Sequence, residues 1–278
     1  MENKSAMSNA IVSGELINHK IVSRDEWLEA RKALLAREKE LTRAKDLLNQ
    51  QRKALPWVKI DKQYVFDSPW GKKSLSDLFE GRSQLIVNHF MFGPGWGEGC
   101  VGCSFGADHV VGALVHLEHH DVSYVTISRA PLEEIEPFHK RMGWKFKWLS
   151  SYNCDFNFDF NVSFPKEIID NNEVYYNYAK QKLNCEEMSG MSVFYKDAKG
   201  DIFHTYSSYA RGGEEGLGTY VLLDCTPKGR NENGPNYGLT DWVRHHDRYD
   251  HAGYVDSTGR YQAEKGPNSC CHSKDTGS

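Results

Sequence analysis

One residue pair in this chain can do chemistry by spacing alone: Cys100 and Cys103 in Gly-Cys-Val-Gly-Cys-Ser. A Cys-x-x-Cys serves either as half of a zinc site or as a redox dithiol at a helix start. The other cysteines are Cys154, Cys185, Cys225, Cys270 and Cys271. Seven cysteines at irregular spacing are not the disulfide framework of a secreted domain. Cys270, Cys271 and His272 sit in the polar run GPNSCCHSKDTGS, which reads as an exposed end with metal capture as the alternative.

The elements around the pair decide between its two uses. Residues 84–92, QLIVNHFMF, form a near-continuous apolar run that suits a central strand buried on both faces. That run feeds the glycine-rich turn Gly93–Gly99 and then the Cys-x-x-Cys. From Cys103 to His120 the apolar residues Phe105, Val110, Ala113, Leu114 and Leu117 share one broad helical face. A dithiol between a strand's C-terminal end and a helix N-terminus has a mechanism. Free N–H groups and the helix dipole favour the thiolate, so a depressed pKa makes one cysteine a nucleophile. The spacing therefore favours a redox pair, with Cys100 nearer the surface and attacking and Cys103 resolving the mixed disulfide.

Residues 1–22 have no strong period and read as a loose arm. Ser23 and Glu26 form a capping box that opens a helix running to about Leu55. Trp27, Leu34, Leu41, Leu48 and Leu55 recur every seven residues, a narrow seam that suits either a coiled-coil homodimer or packing on its own domain. Pro56 stops the helix, and residues 57–79 read as strand, turn and short helix. Beyond the dithiol helix, residues 123–130 read as a strand and 131–142 as a helix capped by Gly143. Residues 145–149 read as a third strand. Residues 150–190 are an irregular insert in which Phe156, Phe158 and Phe160 alternate with polar residues, as in a half-buried extended segment. Residues 192–196 and 201–207 pair as a hairpin, a helix covers about 216–225, and 251–278 is a polar tail. Strands alternating with helices, then an antiparallel pair, make a mixed α/β sheet flanked by helices.

On these pieces the chain resembles the thioredoxin superfamily. The carrying segments are HFMFGPGWGEGCVGCSF, SSYNCDFNFDFNVSF, VFYKDAKGDIFHTYSSYARG and LLDCTPKGRNE. More closely, over about residues 20–250, it resembles an uncharacterised thioredoxin-like family described as predicted dithiol-disulfide isomerases. The resemblance implies a thioredoxin-like fold and thiol–disulfide exchange through Cys100 and Cys103, with no cofactor required. It also exposes departures. Met191 stands where the resemblance leads one to expect a cis-proline facing the dithiol, so that loop should differ. Asn88-His89 stands where thioredoxins bury an Asp. The turn before Cys100 is longer and carries Trp96 and Glu98, and the threonine spacing of a peroxidatic cysteine is absent.

Histidines crowd the same region: His89 on the strand, His109 beyond Cys103, then His116, His119 and His120. His204 falls on the hairpin and His245-His246 after the last helix. One near Cys100 could act as a base or support the thiolate. The alternative is a copper or zinc site built from Cys100, Cys103, His89 and His109. Arg211 could steady an anion or thiolate, and Trp96, Phe156 and Tyr209 could line an apolar pocket.

The chain has 278 residues with a net charge of −4 and 39% hydrophobic residues. It is long enough to bury a core without disulfides. Its balanced charge gives no footprint for nucleic acid. No apolar run approaches a membrane span, and no secretory leader is evident at the start, so a reducing cytoplasm is expected. No Rossmann or Walker glycine pattern stands in its required context.

Overall fold

The computed structural model describes residues 19–171, 173–230, 232 and 242–263. The chain divides into two compact units, Met1–Pro56 and Trp57–Ser278. The first contains helix α1, Arg24–Lys53. Ser23 and Glu26 form the expected capping box, with the Ser23 hydroxyl accepting from the Glu26 N–H at 3.2 Å. No residue of α1 is buried.

The second unit is built on a six-stranded sheet of order β1-β10-β9-β4-β5-β6. In chain order its strands are β1 (Val58–Lys59), β4 (Gln84–His89), β5 (Val122–Ser128), β6 (Lys147–Ser150), β9 (Gly190–Lys196) and β10 (Ile202–Tyr209). β2 (Val65–Phe66) and β3 (Lys73–Ser74) form a separate hairpin, as do β7 (Val174–Tyr176) and β8 (Ala179–Gln181). β4 runs parallel to β5, and β5 to β6, each through a helical crossover. β9 pairs antiparallel with β4 and with β10. A central strand with a parallel crossover on one side and an antiparallel hairpin on the other is the thioredoxin-like arrangement that the sequence led us to expect.

The crossovers are α2 (Val101–Val110) and α3 (Leu114–His119) between β4 and β5, then α4 (Leu132–Met142) between β5 and β6. A single helix was expected from Cys103 to His120. The chain instead breaks it around Gly112, where a residue with low helix propensity stands in the interior. The sheet separates two cores because alternate strand residues point to opposite faces. Val125, Ile127 and Leu149 join one core with Leu85, Val87 and Phe194. Tyr124 and Trp148 join the other, with Phe90, Phe92 and Phe138 under α2 and α4.

The insert holds α5 (Phe156–Asp159) and α6 (Lys166–Asn171). The alternation at Phe156, Phe158 and Phe160 therefore marks a helical turn, not an extended segment. Phe156 and Phe160 stand four apart, which puts both in the first core, their ring centroids 4.6 Å apart. After α7 (Gly218–Leu223), strands β11 (Gly253–Val255) and β12 (Tyr261–Ala263) form a hairpin within the stretch expected to be a polar tail. Cys270, Cys271 and His272, and most of the expected N-terminal arm, lie outside the described residues.

Candidate active site

Strand β4 ends at His89, and the chain turns through Gly93–Gly99 before α2 begins. Gly95 and Gly97 have φ of 78° and 70°, the left-handed region where a side chain is strained. Their N–H groups donate to the Glu134 carboxylate on α4. Gly99 has no room for a Cβ against the Phe90 and Phe138 rings. The turn is thus pinned so that Cys100 caps α2. The Met91 backbone holds both cysteines. The Cys100 N–H donates to the Met91 oxygen at 2.9 Å, and the Met91 N–H donates to Cys103 Sγ at 3.4 Å.

Both cysteines are free thiols. The Cys103 S–H donates to Cys100, and the backbone N–H groups of Cys103 and Gly102 also point at the Cys100 sulfur. Together they pull its pKa below the ordinary thiol range despite burial. The same contact with Cys100, with partial desolvation adding to it, pushes Cys103 well above that range. This asymmetry is what a helix N-terminus is expected to impose.

The burial of the two cysteines reverses one expectation. Cys100 is 2% exposed, whereas Cys103 is partly exposed and lines a cavity of about 440 Å³. The reason is the β11–β12 hairpin. Its turn lies on Cys100: the Val101 N–H donates to the Gly259 oxygen at 2.8 Å, and a Cβ on Gly259 would stand 2.8 Å from Cys100 Sγ. Nothing in the local sequence around residue 259 announces this contact.

The other sequence candidates fall into three groups. Trp96 packs in the cluster of Met91, Cys100, Cys103, Cys185 and Met188, and Met191 lines the cavity. Met191 lies on β9 opposite Asn88, not in a preceding loop, and no cis peptide occurs among the described residues. Glu98 supports the turn from behind, binding Arg141 at 2.6 Å and also Arg248. Beside it His245, fully buried, has Nε2 3.0 Å from the Gly99 oxygen and Nδ1 3.0 Å from Arg141. Donating to the carbonyl and accepting from the guanidinium fixes a neutral ring, and burial lowers its pKa accordingly. Arg211 is exposed, pairs with Glu214 at 3.0 Å and stands at the cavity wall.

His89 and His109 do not meet the dithiol. His89 faces the opposite core, stacked on Phe156 and Phe160, with Nε2 2.8 Å from Ser192 Oγ. Burial takes its pKa down to about 3. His109 has Nδ1 2.6 Å from the Phe105 oxygen and Nε2 2.8 Å from Thr219 Oγ1. The sequence also contains Cys100-x2-Cys103-x12-His116-x3-His120, a zinc-finger spacing. His116 and His120 are exposed, and among the described residues no group of three His, Cys, Asp or Glu side chains could hold a metal ion. The ligand set of Cys100, Cys103, His89 and His109 is therefore not assembled.

Two features were not legible beforehand. Cys185, in the irregular insert, packs against the dithiol, and burial pushes its thiol up to about 11. Glu187, 1% exposed, binds Arg129 and the Ser163 hydroxyl, each at 2.5 Å.

The fold and the capped dithiol define a thioredoxin-fold protein with a cysteine pair at a helix N-terminus. The chain belongs to the family described as bacterial protein of unknown function (DUF899), which matches residues 16–249. Among solved structures it is similar to a peroxidoxin, BcpB, from Mycobacterium tuberculosis. That likeness has 14% identity and a TM-score of 0.38, covering 61% of this chain and 97% of that one. A PrxQ cysteine variant from Xylella fastidiosa shares 14% identity at a TM-score of 0.36, over 58% and 89% of the two chains. A structure described as a thiol:disulfide interchange protein DsbE, from Chlorobium tepidum, shares 12% at 0.36, over 60% and 96%. No curated protein matches the chain.

Proposed function

We propose that the protein is a thiol–disulfide oxidoreductase whose working group is the Cys100–Cys103 pair. One observation carries the reading: Cys100 caps the start of α2 with Cys103 one turn inside it, and the Cys103 thiol and neighbouring backbone N–H groups lower the Cys100 pKa. Thiolate character at one sulfur and a proton on its neighbour is the starting state for exchange, because only the thiolate attacks or leaves readily. The step needs a thiol or disulfide partner and no other cofactor. We place the partner couple in the cytoplasm. Among the described residues no helix is long and apolar enough to cross a membrane.

The test is catalysed exchange between dithiothreitol and hydroxyethyl disulfide. Cys100→Ser and Cys103→Ser should each fall to the uncatalysed rate. Turnover equal to wild type in both variants would overturn the assignment.

A further inference from the structure

Resting on that reading, we propose that the substrate is a small, largely apolar thiol or disulfide, and that its mixed disulfide forms on Cys103 rather than on Cys100.

Access and electronics point to different sulfurs. Cys100 is the sulfur whose pKa is lowered, but it lies beneath the Gly259 turn. Cys103 is the sulfur whose pKa is raised, but it faces the cavity. One division of labour satisfies both facts. In the oxidised protein a substrate thiolate in the cavity attacks the Cys103 sulfur. The new S–S bond joins substrate to Cys103, the Cys100–Cys103 bond breaks, and its electron pair leaves on Cys100. Exchange is fastest when the departing thiol has the lower pKa, and Cys100 is that thiol. A second substrate thiolate then attacks the substrate sulfur of the mixed disulfide. It releases the substrate disulfide and leaves both cysteines reduced, so two electrons pass from two thiols to the protein. A second disulfide couple reoxidises the pair. Run backwards, the buried Cys100 thiolate attacks the Cys103 mixed disulfide, and it never meets bulk solvent.

The cavity walls define the substrate. Met188, Met191, Tyr124, Tyr176 and Tyr209 give an apolar, polarisable surface suited to sulfur and to rings. At about 440 Å³ the space takes a small molecule, not a folded partner. Arg211, the cation of its wall, is tied to Glu214, so no free charge invites an anion. The substrate class is therefore a small, uncharged, apolar thiol.

Dithiodipyridine and its sulfur-free analogue dipyridylethane test the two halves, at mildly alkaline pH where the pyridines are neutral. Dithiodipyridine should leave a stable thiopyridyl adduct on Cys103 in the Cys100→Ser variant, located by mass spectrometry. Adduct on Cys100 in Cys103→Ala should form at least tenfold more slowly. Dipyridylethane should bind wild type saturably by calorimetry. Because dipyridylethane cannot exchange, its binding is read on wild type whatever the variants do. Faster labelling of Cys100 than of Cys103, or no saturable dipyridylethane binding, overturns the inference. Labelling on Cys100 with a reversible Cys100–Cys103 disulfide intact defeats the inference and leaves the exchange reading standing. Dipyridylethane binding by a protein whose pair never forms a disulfide defeats the exchange reading, and the mixed-disulfide step falls with it.

Discussion

Cys100 and Cys103 are one helical turn apart, and they differ in access and in acidity. The difference comes mainly from the S–H of Cys103, with the N–H groups of Gly102 and Cys103 adding to it and burial opposing it. Replacing the donor tests that order of causes. In Cys103→Ala the Cys100 pKa should rise toward the ordinary thiol value of about 8.5. The ultraviolet thiolate absorbance read against pH gives the shift. An unchanged value would assign the stabilisation to the helix terminus alone. At this scale the sequence was informative where chemistry depends on neighbours in the chain. The Cys-x-x-Cys and its helix start were legible because both lie within a dozen residues. Cys185 was not, since its approach to the pair depends on the path of the insert. The histidines misled for the same reason. His89 is one residue from Asn88, yet a strand's alternation sends the two side chains to opposite faces.

The β11–β12 hairpin controls access to Cys100 and has few means of its own to hold that place. Its strands are three residues each, and a two-stranded hairpin is marginal without support. Support comes from the Gly259 carbonyl on Val101, from Asp256 accepting from the Thr258 N–H at 2.9 Å, and from the Asn184 amide on Ser257. Gly259 sits at φ 83°, which costs a residue with a Cβ about 1–2 kcal/mol. Its added methyl would also collide with Cys100 Sγ. Gly259→Ala should therefore lift the turn and raise Cys100 alkylation by iodoacetamide roughly tenfold, the factor that about 1.4 kcal/mol represents. Alkylation at the wild-type rate would show that the turn does not govern access. The hairpin was read as polar tail because its residues, Gly, Asp, Ser, Thr and Arg, carry turn chemistry but little apolar content. Val255, its buried anchor, becomes visible only with Val101, Phe105 and Tyr220 beside it.

Across the whole chain, the succession of strands and helices was legible in outline because hydrophobic period and turn residues are local. A mixed α/β sheet followed from a buried run, a crossover and a hairpin, and the expectation of a thioredoxin-like fold from the family resemblance. The assembly of cavity and lid on α2 from residues as far apart in the chain as Asn88, Tyr176 and Gly259 had no local signature. The first unit poses the remaining question of scale. Trp27, Leu34, Leu41, Leu48 and Leu55 are 46%, 54%, 71%, 43% and 43% exposed, an apolar row at seven-residue spacing. We propose that this row pairs with a second copy. In sedimentation, Leu34→Asp with Leu41→Asp should convert a dimer to a monomer. A monomeric wild type, or a dimer unaffected by both charges, would remove that role.

The claim on which the account turns is that Cys100 and Cys103 exchange two electrons as a pair. A redox titration of the purified protein, read by alkylation and mass spectrometry at each poise, measures this directly. The account predicts one reversible two-electron step joining Cys100 to Cys103, at a potential between roughly −300 and −120 mV. A pair that stays reduced across the whole range, with both thiols alkylated at every poise, would contradict it.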